Sequence, residues 1–97
     1  MYNYTGWIAK STAGHDKHGL FYVVGIQEEY LLLANGKQRK QTAPKRKKRG
    51  HVEFLCREEK GDPTAERLRL REPVSDRELR RALAAYKGGN HAWQKTI

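Results

Sequence analysis

The first 56 residues are written as short apolar runs separated by turn formers, and the last quarter changes to helical spacing. Trp7 and Ile8 lie in an apolar run that ends at Lys10. Ser11 to Gly19, STAGHDKHG, is a cluster of turn-forming residues. Leu20 to Ile26, LFYVVGI, is β-branched and aromatic, the composition of a buried strand. Gly25 inside it predicts a bulge or a close backbone approach. Gln27, Glu28 and Glu29 form a polar turn, and Tyr30 to Ala34, YLLLA, is a second strand. Asn35-Gly36 is a hairpin-turn signal. Lys37 to Gln41 is expected to continue as a strand, which puts Lys37 and Arg39 on one face. Pro44 interrupts, and Lys45 to Arg49 is expected as a solvated loop or a mobile extended arm. His51 to Cys56, HVEFLC, sets Val52 and Phe54 on one face and polar residues opposite, the pattern of a last strand. Short strands with Gly-rich turns at this spacing predict a mainly β fold, a small barrel.

Residues 57–73 are charged, contain Pro63 and Pro73, and read as a linker. Arg67 to Arg71, RLRLR, alternates and is an edge-strand candidate with a wholly basic polar face. The helical pattern covers 74–88. Ser75 is the N-cap and Glu78, three residues on, completes a capping box, with Val74 and Leu79 as a hydrophobic staple. Leu79, Ala82, Leu83 and Tyr86 form one apolar stripe. Gly88-Gly89 is the stop, with Lys87 in the last turn, where the dipole favours a cation. So short a helix is marginal alone and must dock, on the barrel or on a partner. The tail 89–97, with Trp93, has no pattern. The expected organisation is a barrel over 1–56 carrying a basic arm at 37–49, then the linker, the helix and the tail.

Charge sharpens this picture. The formal net charge is +9, and Lys37 to Arg49, KQRKQTAPKRKKR, holds eight Lys or Arg and no Asp or Glu. The other 84 residues nearly balance, with twelve basic and eleven acidic side chains. Such a patch repels itself unless solvent or a polyanion relaxes it, and nucleic acid is its usual partner. The plain alternatives are a solubilising loop and a targeting tag. With 97 residues, 37% apolar and 32% charged, the chain is one small domain with a modest core. The lone Cys56 gives no disulfide framework and fits a reducing compartment. No signal-peptide pattern and no membrane-length apolar run is present, so the expected location is cytoplasmic.

The ordered set of motifs resembles the KOW motif. Residues 9–40, AKSTAGHDKHGLFYVVGIQEEYLLLANGKQRK, carry it: the small-residue turn Ser11, Ala13 and Gly14, then Asp16-Lys17, the strand from Leu20-Phe21, and the hairpin LANGK from Leu33 to Lys37. Pro44 to Lys48 and His51 follow, and SDRELRRAL, Ser75 to Leu83, extends the match. The chain looks like the small KOW-domain RNA-binding proteins of Gram-positive bacteria, relatives of a large-subunit ribosomal protein of archaea and eukaryotes. One departure stands out. Many KOW motifs have Gly directly after the Lys, whereas Lys17 is followed by His18 and Gly19 comes one place late. The resemblance implies an SH3-like barrel of about five strands. It also implies binding to RNA, first of all ribosomal RNA and the ribosome, with no catalysis.

The candidate RNA-binding residues are Lys10, His15, Lys17, His18, Lys37, Arg39, Lys40, Lys45, Arg46, Lys47, Lys48 and Arg49. Arginines can clamp phosphates or stack on bases, and lysines act as point charges. The Gly14–Gly19 turn is expected to bring His15, Lys17 and His18 near phosphate, with backbone N–H groups facing the anion and Asp16 making a local hydrogen bond. Tyr2, Tyr4, Trp7 and Trp93 could stack on bases, though Trp7 fits the core better. The four histidines and Cys56 lack zinc-site spacing. Cys56 and His51 on one strand point to opposite faces and make no nucleophilic pair. No cofactor or small-molecule substrate is indicated, and the reading is not an enzyme. A protein-interaction adaptor using the Leu79–Leu83–Tyr86 stripe is the rival. A polybasic membrane contact has no hydrophobic anchor.

Overall fold

β2 (Leu20–Gln27) is the central strand, and its alternation organises the molecule. The computed structural model describes residues 1–56 and 62–87. Among them, β1 (Ile8–Ser11), β2, β3 (Tyr30–Ala34), β4 (Lys45–Lys48) and β5 (Val52–Cys56) form one antiparallel sheet in the order β4-β3-β2-β1-β5. Tyr22 pairs with Ile8 on one side and Ala34 on the other, and all three face a core shared with the helices. Their neighbours face the opposite way: Ala9 pairs with Phe21, Val23 with Leu33 and Ile26 with Leu31, and Val52 joins them in a second core. The register slips between Val23 and Gly25, so the bulge falls where Gly25 predicts it. The two-residue turn from β2 to β3 puts Glu28 at φ +55°.

β4 and β5 lie at opposite ends of the sheet but are consecutive in the chain, joined only by a 3-10 turn at Arg49–His51. Five flat strands would separate the outer two by about 19 Å. Four peptide steps reach no more than about 14 Å. The sheet is therefore strongly curled, and one side-chain and one backbone hydrogen bond tie its ends. Lys47 of β4 donates to the Ala13 carbonyl beyond β1 at 3.0 Å, and the Thr12 N–H donates to the His51 carbonyl at 2.9 Å.

Two helices cover the other face: α1 (Pro63–Arg69) and α2 (Asp76–Lys87). The capping box of α2 is present. The Glu78 N–H donates to Ser75 Oγ at 3.1 Å, and the Ser75 N–H to Glu78 Oε1 at 3.2 Å. Val74, Leu79 and Leu83 are buried against Ile8, Tyr22 and Ala34, with Tyr86 packed beside them. The apolar stripe thus docks on the sheet of its own chain, which removes the surface an adaptor would offer through it. Arg67 to Arg69 of RLRLR form the end of α1, not an edge strand, in a stretch whose sequence reads as linker. The alternation misleads because Ala65 and Leu68, three apart, bury one helical face. Asp62 caps α1, accepting from the Thr64 and Ala65 N–H groups, and Pro63 takes the first helical position. Tyr22 Oη donates to the same carboxylate at 2.9 Å, so the cap is fastened to the central strand.

Two further expectations are corrected. Lys45 to Lys48 is strand β4, not a mobile arm, because its backbone pairs along Tyr30–Leu33. Lys37 to Gln41 is a turn segment rather than a strand, since the Asn35 side chain folds the chain back on itself. The first part of the linker, the Gly88-Gly89 stop and the tail with Trp93 lie outside the described residues.

Candidate nucleic-acid interface

The loop between β1 and β2 is closed from within. Lys17, His18 and Gly19 donate their N–H groups to the Gly14, Ser11 and Asp16 carbonyls at 3.1, 2.8 and 2.8 Å. Those three N–H groups are spent within the loop and do not face an anion. His15, Lys17 and His18 project into solvent. His18 holds φ +74°, in the left-handed region that favours glycine. It is the position directly after Lys17, where many KOW motifs carry Gly.

Asp16 is the hub of the site, and its partners are distant in sequence. It accepts two bonds from Arg39, Nε and Nη2 each at 3.1 Å, and Lys47 Nζ stands 3.9 Å away. The Arg39 hydrogen bond holds the Asp16 carboxyl below its ordinary value of 3.8, aided by the charges of Arg39, Lys47 and Lys45, while burial opposes them. Asp16 and Lys47 are only 10% and 9% exposed. Arg39 and Lys47 therefore cross-link the β1–β2 loop to the β3–β4 loop and to β4. As candidate RNA contacts, these two are largely committed to the fold.

The β3–β4 loop is seated on α2. The Gly36 carbonyl accepts from Arg80 Nη1 at 2.7 Å and Lys40 Nζ at 3.3 Å, and Asp76 Oδ1 accepts from the Gln41 N–H at 2.8 Å. Gly36 lies at φ +76°, and a Cβ there would run into the Asp76 carbonyl. This seating aligns the loop with the helix along a groove of about 510 Å³. His18, Lys37, Arg80 and Lys87 line it, with Leu20 and Leu83 between them, and no carboxylate borders it among the described residues.

The remaining cations lie on β4 and beyond. Arg46 pairs with Leu32 and sets its guanidinium 5.1 Å from the Tyr30 ring centroid. Arg46 and Lys48 are exposed, and Lys45 is half-buried. Arg49 follows, lying over Phe54 and Tyr4. Lys10 is separate: it sits on β1 between Leu20 and Glu53 in the register. The structure thus joins Lys37, Lys40, His18 and β4 through Asp16 and Gly36, and leaves Lys10 aside. Sequence reasoning missed Arg80 and Lys87 of α2, although Arg77, Arg80, Arg81, Ala84 and Lys87 recur at helical spacing on its exposed side. It also missed Phe54 as a partner of the N-terminal tyrosines.

Among the described residues no group of His, Cys, Asp and Glu is arranged to hold a metal ion, and no helix is long and apolar enough to cross a membrane. The chain has no match among protein-family models or curated proteins.

Proposed function

We propose that the protein binds RNA, first of all ribosomal RNA, and acts on the ribosome in the cytoplasm by docking and charge neutralisation, without catalysis or cofactor. One observation carries this reading. Asp16 and Asp76, the carboxylates that reach the basic loops, are both engaged by the fold, and among the described residues Lys37, Lys40, Lys45, Arg46, Lys48, Arg49, Arg80 and Lys87 form no ion pair. A surface built this way concentrates positive charge and leaves these cations without an ion-pair partner among the described residues, which suits a phosphate backbone.

The resemblance to KOW-domain proteins adds support. The curled five-stranded sheet, with a 3-10 turn between its last two strands, is compatible with the small SH3-like barrel which that resemblance implies. The chain departs from the motif at His18, whose positive φ is compatible with a position that favours Gly.

The test is co-sedimentation with ribosomes across a salt series, comparing the wild type with a variant whose Lys45, Arg46, Lys48 and Arg49 are changed to Gln. Lys47 is left in place because it holds the fold. The expected result is binding to one subunit that salt weakens and the variant loses. A wild-type protein that stays at the top of the gradient at low salt refutes the ribosomal reading.

A further inference from the structure

The N-terminal segment brings Tyr4 and Trp7 against Phe54 of β5, with Tyr2 against Tyr4 and Trp7. Tyr4 and Phe54 are stacked, with centroids 4.6 Å apart and planes at 27°. Trp7 meets both edge-on, at 4.9 and 4.8 Å. Tyr2 leans on Tyr4 at 5.1 Å and on Trp7 at 5.7 Å, and is 57% exposed. The Arg49 guanidinium lies 4.5 Å from the Phe54 centroid and 5.6 Å from that of Tyr4, with Nη1 donating to the Val52 carbonyl at 3.4 Å. These side chains, with Glu53, border a concavity of about 680 Å³, within the size range of small-ligand sites.

Part of this cluster is structural, because Tyr4, Trp7 and Phe54 pack on the inner core. Core packing does not account for an exposed tyrosine beside an exposed arginine whose guanidinium lies over a ring. Burying that tyrosine ring would be favourable, and a guanidinium held over a ring is placed to take a base as well. We propose that this cluster is a stacking site for an unpaired base of RNA, with Tyr2 and Arg49 as its contact residues. The inference rests on the RNA reading above and narrows it to RNA with an unpaired segment. Stacking on aromatic rings and on arginine planes is how single-stranded nucleotides are held, and it needs the base out of a duplex. The chain order fits: Arg49 directly follows the β4 cations, so a strand whose base enters here has Lys48 beside its phosphates. Glu53 at the rim disfavours phosphate inside the concavity and can accept from an exocyclic amino group of the base.

The test uses the full chain with Trp93→Phe, so that Trp7 is the sole tryptophan. An eight-nucleotide single-stranded oligoadenylate and a duplex RNA of equal length are titrated separately, reading tryptophan fluorescence and affinity. The single strand is expected to quench Trp7 and the duplex is not. Tyr2→Ala should weaken single-strand binding about tenfold and leave duplex binding unchanged, and Arg49→Lys, which keeps the charge, should weaken single-strand binding more than duplex binding in protein that circular dichroism shows to be folded. If both variants bind the single strand like the parent while salt-sensitive RNA binding persists, the stacking site is wrong and the RNA reading stands. If neither RNA binds at low salt, the RNA reading itself fails and this inference with it. Loss of ribosome co-sedimentation in Tyr2→Ala with RNA affinity unaltered would assign the cluster to a ribosomal protein and overturn the base site.

Discussion

Asp16 is a carboxylate in the middle of a basic region, and its value lies in where it sends its two oxygens. Removing the charge leaves Arg39 and the nearly buried Lys47 without their anion, so Asp16→Asn is expected to destabilise the fold by about 2–3 kcal/mol. The effect has a pH signature. The folded carboxyl titrates below its ordinary value of 3.8, so the stability it contributes is complete above that value and is lost as pH falls through the folded pKa. Denaturation midpoints measured against pH should lose part of their acid limb below 3.8 in Asp16→Asn. An unchanged acid limb would mean that the carboxylate is not coupled to folding. His18 gives a prediction of opposite sign. It holds φ +74°, which disfavours a side chain, and its own N–H is bonded within the loop. His18→Gly should therefore stabilise by about 0.5–1 kcal/mol in chemical denaturation. If it destabilises instead, the imidazole makes a contact that outweighs the backbone strain.

Elements in this protein are held by their ends as much as by their faces. The β3–β4 loop has little apolar area of its own, yet it is fixed at Gly36 by Arg80 and at Gln41 by Asp76. Gly36→Ala would push a methyl group into the Asp76 carbonyl while also straining a left-handed backbone, so a loss above about 2 kcal/mol is expected. Amide exchange at Gln41 should accelerate with it, because the N–H loses its acceptor as the loop lifts from α2. Protected exchange at Gln41 in this variant would show that the loop is seated by something other than Gly36. The same dependence on distant partners explains what could be read along the chain. β2, β3 and β5 announce themselves through apolar residues, and α2 through its capping box, since the signals lie within each segment. β4 carries none: KRKK becomes a strand only because Tyr30 to Leu33 offers an edge, and a run of lysines is a usual way to keep such an edge from pairing further. For α1 the decisive signal was Asp62-Pro63, a cap followed by a first-turn proline, and the RLRLR alternation concealed it. The candidate site was legible as composition, but which cations would be consumed by Asp16 was not, because Arg39 lies 23 residues from it and Lys47 farther still.

Taken together, the molecule divides its positive charge into two populations with different measurable behaviour. Arg39 and Lys47, with Arg67 and Arg69 on the helical side, are paired with carboxylates and hold the structure together. Lys37, Arg46 and Lys48 are exposed and make no ion pair among the described residues. A cation that contacts phosphate releases a counterion, so each one lost lowers the slope of log affinity against log salt by about 0.7–0.9. Changing Lys37, Arg46 and Lys48 together to Gln should reduce that slope by about 2–3 between 50 and 200 mM salt (roughly the range where such slopes are measured) and leave the melting temperature nearly unaltered. Lys47→Gln should do the reverse, lowering the melting temperature while the slope holds in protein that remains folded. If the triple variant keeps the full slope, the exposed face is not where the polyanion sits. If Lys47→Gln lowers the slope as much as the triple variant does per charge removed, then Lys47 leaves Asp16 on binding, and the inner cross-link is itself part of the interface.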